Sequence, residues 1–474
     1  MLSAFRKFSL IGFYAWMLFL TGGAFAKNGI PVVYQPLSPT SAAPGSAGFT
    51  LAVRGSGFVN GAVVRWNGAS LSTTYINRGT LHAVVSADKL INPGTAAITV
   101  SNPAPGGGVS NASYFQVHGS ATSIGTALNT SFVPPALSYE TVADLNCDTI
   151  PDIAISDLNK GIDVYLGNGD GTFQNPLKIS TGLYFSQVLA SDLNGDGKMD
   201  LVASRPFLCT GCGGWPTWMI YTFMGDCTGH FFKGPEQGRN TGQVLALADV
   251  NGDGALDLFT VSTDYDGIDW DFHVILGNGD GTFKRQSQKF VAGAYSSSIP
   301  AIADFNRDGK LDLAMVGLDY QYGFPLLYVC LGNGDGSFQP AMTSYVLPWD
   351  GGHQAITADV NGDGVLDLVT DSVAVLLGNG DGTFTNDVNV NVRGAYLPNY
   401  GLVVGDLNAD GALDFASKQF LDTAELLVAL GNSGGTYTTL YVPGNSQLFG
   451  AADFNGDGLL DFLTATGIYE SVAQ

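Results

Sequence analysis

Positive charge is what this chain has least of. Its 474 residues include only 20 Lys and Arg against 42 Asp and Glu, for a formal net charge of −22. That balance excludes a nucleic-acid partner, which needs a basic face, and it disfavours docking on an anionic membrane. Charge of either sign is sparse at 13%, but 45% of the residues are hydrophobic, so the chain can bury cores and is not disordered. Long apolar runs are missing beyond the N-terminus, and no membrane insertion is expected. Catalytic signatures are missing too: there is no H-E-x-x-H and no phosphate loop.

The one long apolar run, over residues 8–20, follows Arg6 and Lys7 and precedes Ala24-Phe25-Ala26. This reads as a secretory signal peptide over residues 1–26, cleaved after Ala26. Position 27 is Lys rather than Cys, so no lipid anchor is expected there. The expectation is a secreted protein, whether periplasmic, surface-held or released.

What the chain does have is glycine, 64 residues of it, spread among short Val-, Leu-, Phe- and Tyr-rich runs. The length is too great for one hydrophobic core, so several domains or a repeat array is expected. Over residues 31–117, apolar runs alternate with Gly, Pro, Asn and Ser clusters at strand spacing, which suggests a small β-sandwich. Leu37-Ser38-Pro39-Thr40, Val53-Arg54-Gly55-Ser56-Gly57-Phe58, Val64-Arg65-Trp66-Asn67-Gly68, Asn102-Pro103 and the glycines 106–108 resemble the immunoglobulin-like IPT/TIG family. That resemblance implies a fold, and a spacer or protein-binding module. Trp66 is expected in the sandwich core.

From residue 138 onward an acidic nonapeptide recurs. The clearest copy, Asp249-Val250-Asn251-Gly252-Asp253-Gly254-Ala255-Leu256-Asp257, places side-chain oxygens at positions 1, 3, 5 and 9 and a glycine at 6. A hard cation such as Ca²⁺ takes six or more oxygens at about 2.3–2.6 Å, and a glycine-assisted turn lets one short loop supply most of them. The loop is not an EF-hand, since it closes on Asp at 9 and has no Glu at 12. Together with this copy, the pattern stands at Asp144/Asn146/Asp148/Asp152, Asp192/Asn194/Asp196/Asp200, Asp304/Asn306/Asp308/Asp312, Asp359/Asn361/Asp363/Asp367, Asp406/Asn408/Asp410/Asp414 and Asp453/Asn455/Asp457/Asp461. First-Asp spacings of 48, 57, 55, 55, 47 and 47 are the period of a four-stranded propeller blade. These loops hold 21 of the 42 acidic residues, so the acidity reads as up to seven Ca²⁺ sites rather than a solvating coat.

A second signal follows each of the first six loops, as in Leu166-Gly167-Asn168-Gly169-Asp170-Gly171-Thr172-Phe173, with near-copies at 276–283, 331–338 and 377–384 and degraded ones at 224–231 and 430–437. Asn-Gly and Asp-Gly between apolar runs mark a tight hairpin turn. Each repeat therefore reads as strand A, acidic loop, strand B, variable loop, strand C, Gly-rich turn, strand D. The expected architecture is all-β: a small Ig-like sandwich, then a seven-bladed propeller over residues 138–474. The seventh repeat ends without a D strand. Residues 118–137, with a D-like stretch at 129–134, are expected to supply it and close the ring.

This half of the chain resembles the FG-GAP/VCBS repeat proteins, whose best-known members are the propeller heads of integrin α chains. The resemblance implies one Ca²⁺ per matching loop, between strands A and B on the lower face. The ligands would be the four residues named for each loop, completed by the backbone carbonyl at position 7, such as that of Ala255. Loop one departs from the pattern, with Cys147 at position 4 and Thr149 in place of Gly at 6. Thr is poor at positive φ, so this site is expected to be the weakest.

Five cysteines remain to be placed. Cys209-x-x-Cys212 and Cys227-x-x-His230 spell a zinc-like spacing, but the repeat register puts the two pairs at opposite ends of blade two, about 20 Å apart and beyond shared ligation. In an oxidising compartment either a Cys209–Cys212 or a Cys147–Cys227 disulfide fits, with Cys330 buried in a C strand.

The B–C loops of blades two to four are aromatic, with Trp215 and Trp218, then Tyr265 and Trp270, then Tyr320 and Tyr322. Trp349 and His353 join them from the D–A connection of blade five, and Tyr400 from the polar ring where the A strands begin. Aromatic platforms beside polar groups suit sugar rings or peptides. The expectation is a monomeric, secreted Ca²⁺-binding adhesion or ligand-binding protein, not an enzyme, with an extracellular protein or glycan on the upper face. The rival reading is a polysaccharide lyase or hydrolase on a Ca²⁺-stabilised propeller. Its acid and base would come from His353 with Asp264, Asp266 or Asp350.

Overall fold

A computed structural model describes residues 27–119, 124–134, 140–157, 161–208, 216–234, 237–239, 242–263, 270–290, 299–318, 325–345, 354–371, 374–386, 401–420, 424–432, 436–443 and 448–473. Among these residues the regular elements are strands, apart from one 3-10 turn at Ala87–Leu90. No described helix is long and apolar enough to cross a membrane.

Residues 32–117 form two sheets. One orders Val32–Val33, Phe49–Ser56, Thr80–Val85 and Ser72–Asn77; the other runs Ser41–Ala42, Ser113–Val117, Gly94–Asn102, Val63–Trp66 and Ala69–Ser70, with Gly108–Val109 beside Gly94–Asn102. Strand periodicity explains the pairing. Leu51 and Val53 are buried while Thr50 and Arg54 are exposed, and Ala96, Ile98 and Val100 all face inward. With Phe58, Leu81, Trp66 and Phe115 they make one core between the sheets. The Trp66 and Phe115 rings lie 5.3 Å apart, which makes this tryptophan a core residue.

Seven further sheets follow, each antiparallel throughout. The first is Glu140–Ala143, Asp152–Asp157, Gly161–Tyr165 and Leu177–Ser180. The next five begin at Gln187–Ser191, Gln243–Ala248, Ala301–Ala303, Ala355–Ala358 and Leu402–Gly405, and each runs outward in chain order. In the second sheet an extra strand, Gln237–Arg239, pairs with Pro216–Gly225. The seventh takes three strands from the end of the chain, Leu448–Ala452, Asp461–Thr464 and Gly467–Ala473. Its outer strand, Ile124–Asn129, comes from the other end.

Middle strands such as Asp367–Thr370 and Asp461–Thr464 are buried at every residue. Continuous rather than alternating burial means both faces of each sheet are covered. Each sheet shares a core with the next. Leu145 and Ile162 of the first pack with Leu201 and Phe223 of the second, and Val202 and Ile220 of the second with Leu258 and Ile275 of the third. The series continues through the third and fourth, fourth and fifth, fifth and sixth, and sixth and seventh sheets. It returns to its start where Ala452, Leu463 and Ile468 of the seventh sheet pack on Ile153 and Ile155 of the first. The result is a propeller-like all-β fold.

The outer strand of the seventh sheet lies at Ile124–Asn129, a few residues before the D-like stretch at 129–134. That stretch instead locks the strand in place. Asn129 Nδ2 donates to Glu470 Oε1 at 2.7 Å and to the Gly171 carbonyl at 3.2 Å. Phe132 packs edge-on against Tyr165 of the first sheet and tilted against Phe173 of its turn. Resemblance to other D stretches marks the aromatic anchor, while the ladder itself is set by pairing with Gly467–Ala473.

Candidate functional site

In all seven repeats the residue before the first Asp pairs with the closing Asp across the hairpin: Ala143 with Asp152, Ser191 with Asp200, Ala248 with Asp257, Ala303 with Asp312, Ala358 with Asp367, Gly405 with Asp414 and Ala452 with Asp461. Each acidic loop is thus an eight-residue connection between a first and a second strand. All seven lie on one face.

The closing Asp is fully buried in every loop. In loop three Asp257 Oδ2 accepts from the Val250 amide at 3.0 Å and Oδ1 from the Gly277 amide at 2.8 Å. The same two bonds hold Asp152, Asp200, Asp312, Asp367 and Asp414, and Asp461 replaces the glycine with Ser471. The partner glycine is that of the repeated Leu-Gly signal. A Cβ on Gly277 would lie 2.2 Å from the Leu256 carbonyl oxygen, so close backbone approach explains why the motif carries glycine.

The remaining expected ligands turn onto backbone N–H groups. In loop three Asp249 accepts from Asp253 and Gly254, Asn251 Oδ1 from Asp253, and Asp253 from Ala255. In loop one Asp144 and Asn146 both accept from the Asp148 amide, and Asp148 accepts from Ile150. In loop two Asp192 and Asn194 accept from the Asp196 amide, and Asp196 from Lys198. In loop four Asp304 and Asn306 accept from the Asp308 amide, and Asp308 from Lys310. In loop five Asn361 accepts from Asp363 and Asp363 from Val365. In loop six Asp406 and Asn408 accept from the Asp410 amide, and Asp410 from Ala412. In loop seven Asp453 and Asn455 accept from the Asp457 amide, and Asp457 from Leu459.

In this arrangement the side-chain oxygens of each loop accept from its own amides. As the side chains lie, no three Asp, Glu, His or Cys among the described residues converge as a metal-holding group. Asn146 and Asp148, Asn194 and Asp196, Asn306 and Asp308, Asn408 and Asp410, and Asn455 and Asp457 serve as turn-forming acceptors. The physical reason is local. A tight turn aims several amides inward, and an Asx oxygen two residues back meets such an amide before it meets another carboxylate. Position 4 adopts positive φ even where it is Cys147, Arg307 or Ala409, and position 6 does so even at Thr149, with φ 71. The side-chain acceptors within each loop are nonetheless all oxygen, the type a hard divalent cation takes.

Burial pushes the closing carboxylates well above their ordinary value, Asp152 and Asp257 to about 7 and Asp461 to about 8. Repulsion from loop neighbours adds to this, from Asp249 and Asp253 on Asp257 and from Asp453 and Asp457 on Asp461. Asp406 and Asp453, both first positions, rise to about 6, again chiefly through burial. Several carboxylates held out of water beside one another form a set whose charged state a cation would favour. In donor chemistry the loops fit calcium.

Two features tie loops to their surroundings. A disulfide joins Cys147 of loop one to Cys227 in the C–D turn of the second sheet, with Cα atoms 5.1 Å apart. Cys227 is therefore not a free thiolate for a zinc site with His230. Cys330 is a buried free thiol. Cys209 and Cys212 lie outside the described residues.

The second feature is that the sandwich sits on the loop face, and its N-terminal strand crosses successive loops in order. The Ile30 amide donates to Asp249 Oδ2 at 2.9 Å, and the Asp304 amide donates to the Tyr34 hydroxyl at 3.1 Å. The Asp359 amide donates to the Gln35 carbonyl at 3.0 Å, and Ser41 Oγ to the Ala409 carbonyl at 3.0 Å. Arg54 pairs with Asp359, and Gln116 reaches the Asp406 carbonyl. A cavity of about 820 Å³ remains beneath the sandwich, lined among others by Val33, Arg65, Val142, Leu189, Leu247 and Asp249. No repeated motif announces these contacts. Charge was the available signal: Lys27, Arg54, Arg65, Arg78 and Lys89 oppose a single acid, Asp88, between residues 27 and 118.

Of the aromatic candidates, Trp218 lies on a second-sheet strand opposite Pro206 and is half-buried. Trp270 begins a third-sheet strand opposite Thr263. Both stand at the ends of their sheets away from the loops. Trp215, Tyr265, Tyr320, Tyr322, Trp349, His353 and Tyr400 lie outside the described residues, as do Asp264, Asp266 and Asp350.

Residues 144–203 and 249–315 match an FG-GAP-like repeat family. The chain carries FG-GAP-like repeats. Each matched stretch opens on the first Asp of an acidic loop. No curated protein matches the sequence. Among solved structures, a candidate phosphatase from Bacteroides thetaiotaomicron is 11% identical with a TM-score of 0.41, over 94% of this chain and 98% of that one. An auxiliary nutrient binding protein from Bacteroides ovatus is 10% identical with a TM-score of 0.35, over the same shares. An endo-arabinase from Bacteroides thetaiotaomicron is 11% identical with a TM-score of 0.29, over 68% of this chain and 97% of that one. At these values none of the three bears on activity.

Proposed function

We propose that the chain is a secreted, calcium-stabilised binding or adhesion protein without enzymatic activity. In this reading the seven sheets are the blades of an integrin α-like FG-GAP/VCBS propeller, and residues 31–117 are an Ig-like module of the IPT/TIG type. Its ligand is an extracellular protein or glycan held on the face away from the loops.

The observation that carries this reading is the coverage of the loop face. Loops three to six are engaged by the chain's own N-terminal segment and sandwich, which favours a ligand on the opposite face, where the loops of a rigid scaffold carry function. Trp218 and Trp270 stand at the edge of that surface. Calcium, when bound, supplies two positive charges to a loop of three carboxylates. Asp249, Asn251, Asp253 and the Ala255 carbonyl would hold it in loop three, and the corresponding residues in the others. Asp257 keeps the hairpin closed from beneath through Val250 and Gly277.

A glycan and matrix-protein array, run with and without chelator, tests the reading. The expected result is calcium-dependent binding that Trp218→Ala or Trp270→Ala abolishes. Polysaccharide cleavage without stable binding would replace this reading with the lyase or hydrolase.

A further inference from the structure

Loop five differs from its six counterparts at one bond. In loops one, two, three, four, six and seven the amide of the middle Asp donates to Oδ1 of the first Asp, at 3.0–3.2 Å. In loop five the Asp363 amide bonds only Asn361 Oδ1, and Asp359 Oδ1 is buried without a hydrogen-bond partner. The other oxygen of Asp359 pairs with Arg54 of the sandwich.

A guanidinium is a fixed cation at every physiological pH, and its planar donors match a carboxylate. Arg54 lies over the loop itself: a Cβ on Gly364 would come within 3.6 Å of its Nη1. A second guanidinium approaches from the neighbouring loop, where Arg307 Nη2 donates to the Gly364 carbonyl at 2.9 Å. Loop five is thus flanked by two positive groups, one on its first carboxylate and one on the carbonyl of position 6. Loop four also has guanidiniums nearby, its own Arg307 and Arg78 of the sandwich, whose Nη1 would lie 3.8 Å from a Cβ on Gly309, but among the described residues neither pairs with its first carboxylate, and Lys198 and Lys310 lie 3.6 and 3.7 Å from the middle Asp of loops two and four. Like charges a few ångströms apart in a partly buried setting repel by several times the thermal energy. A divalent cation entering loop five would meet both guanidiniums.

We propose that loop five is neutralised from within: Arg54 takes, at Asp359, the place that a divalent cation takes at the other loops. The sandwich is then the electrostatic complement of the loop face and not a passive spacer. It has five basic residues to one acid, docked on the part of the chain that holds 41 of its 42 acidic residues. Arg54 is the residue that decides which loop stays free of metal. This rests on the calcium reading above and narrows it.

The test is the number of Ca²⁺ ions retained by the full mature chain, counted by native mass spectrometry after gel filtration in calcium. Arg54→Gln is expected to hold one ion more than the parent protein, because loop five is released. Asp359→Ala is expected to hold the same number as the parent, and Asp304→Ala one fewer. An unchanged count in Arg54→Gln, or the loss of an ion in Asp359→Ala, overturns the proposal. If Arg54→Gln does not fold, the Asp359→Ala count against Asp304→Ala decides alone. A parent protein that retains no calcium overturns the calcium reading itself, and this proposal with it.

Discussion

The buried carboxylate of Asp257 accepts a hydrogen bond from the Gly277 amide at 2.8 Å, joining the end of an acidic loop to the turn signal twenty residues later. The two sequence motifs of the first six repeats are therefore one structural unit. The third strand comes near enough to donate through a glycine in the first six loops and through Ser471 in the seventh.

Gly277→Ala tests that closeness. Its Cβ would sit 2.2 Å from the Leu256 carbonyl oxygen, so the backbone must move. Overpacking of this kind costs about 1–3 kcal/mol. Urea unfolding should show a loss in that range, and an unchanged midpoint would mean that the sheet tolerates the shift.

Calcium removal should lower the melting temperature. Ligands that bind only the folded form stabilise it by mass action, about 2.7 kcal/mol per site at a hundredfold excess over Kd. Scans with calcium and with chelator read this directly, and a midpoint that chelator does not move sinks the structural-metal claim.

Thr149 is a β-branched residue at φ 71, where the other six loops have glycine. A non-glycine residue in that region costs about 1–2 kcal/mol, less the flexibility glycine adds to the unfolded chain. Thr149→Gly should therefore stabilise by about 1 kcal/mol in denaturant titration and tighten calcium binding at loop one. A destabilised variant would mean the threonine makes contacts that outweigh its strain.

Cys330 is 1% exposed, and burial pushes its thiol up to about 11. At pH 8 the group is protonated and shielded, so iodoacetamide should leave it unmodified in the native protein and label it after denaturation. Peptide mass mapping under non-reducing conditions should also recover Cys147 linked to Cys227. Native labelling of Cys330 would show that its sheet opens.

Asn129 ties the two chain ends together through Glu470 and Gly171. Asn129→Ala removes both bonds and should cost about 1–3 kcal/mol, with hydrogen exchange rising first along Ile124–Asn129 and Gly467–Ala473. Exchange that rises elsewhere instead would place the weak seam in another sheet.

What could be read from the residues is what repeats. Asp at positions 1, 5 and 9, Asn at 3 and the following Leu-Gly turn recur because hairpin and loop geometry is local, solved the same way each time within some twenty residues. The pairing of Ala248 with Asp257 and its six equivalents follows from that spacing. So does the loop-one departure at Thr149, which the backbone carries as positive φ. The direction each loop oxygen takes was less legible: residue type marks Asn251 and Asp253 as oxygen donors to a cation, while the turn gives them amides to accept from. The outer strand of the seventh sheet was legible only to within a few residues, since Phe132 resembles other D-strand aromatics while the ladder lies just before it.

The docking of the sandwich was not legible, and the reason is physical. Ile30 meets Asp249 across 219 residues and Arg54 meets Asp359 across 305. Each contact is made once, with no period to announce it, and each depends on how seven sheets stack and where the sandwich comes to rest on them. Local chemistry made the loops and the turns from the sequence alone. Only the packed chain decided which loop would face an arginine, which cysteines would join, and which loops the sandwich would cover.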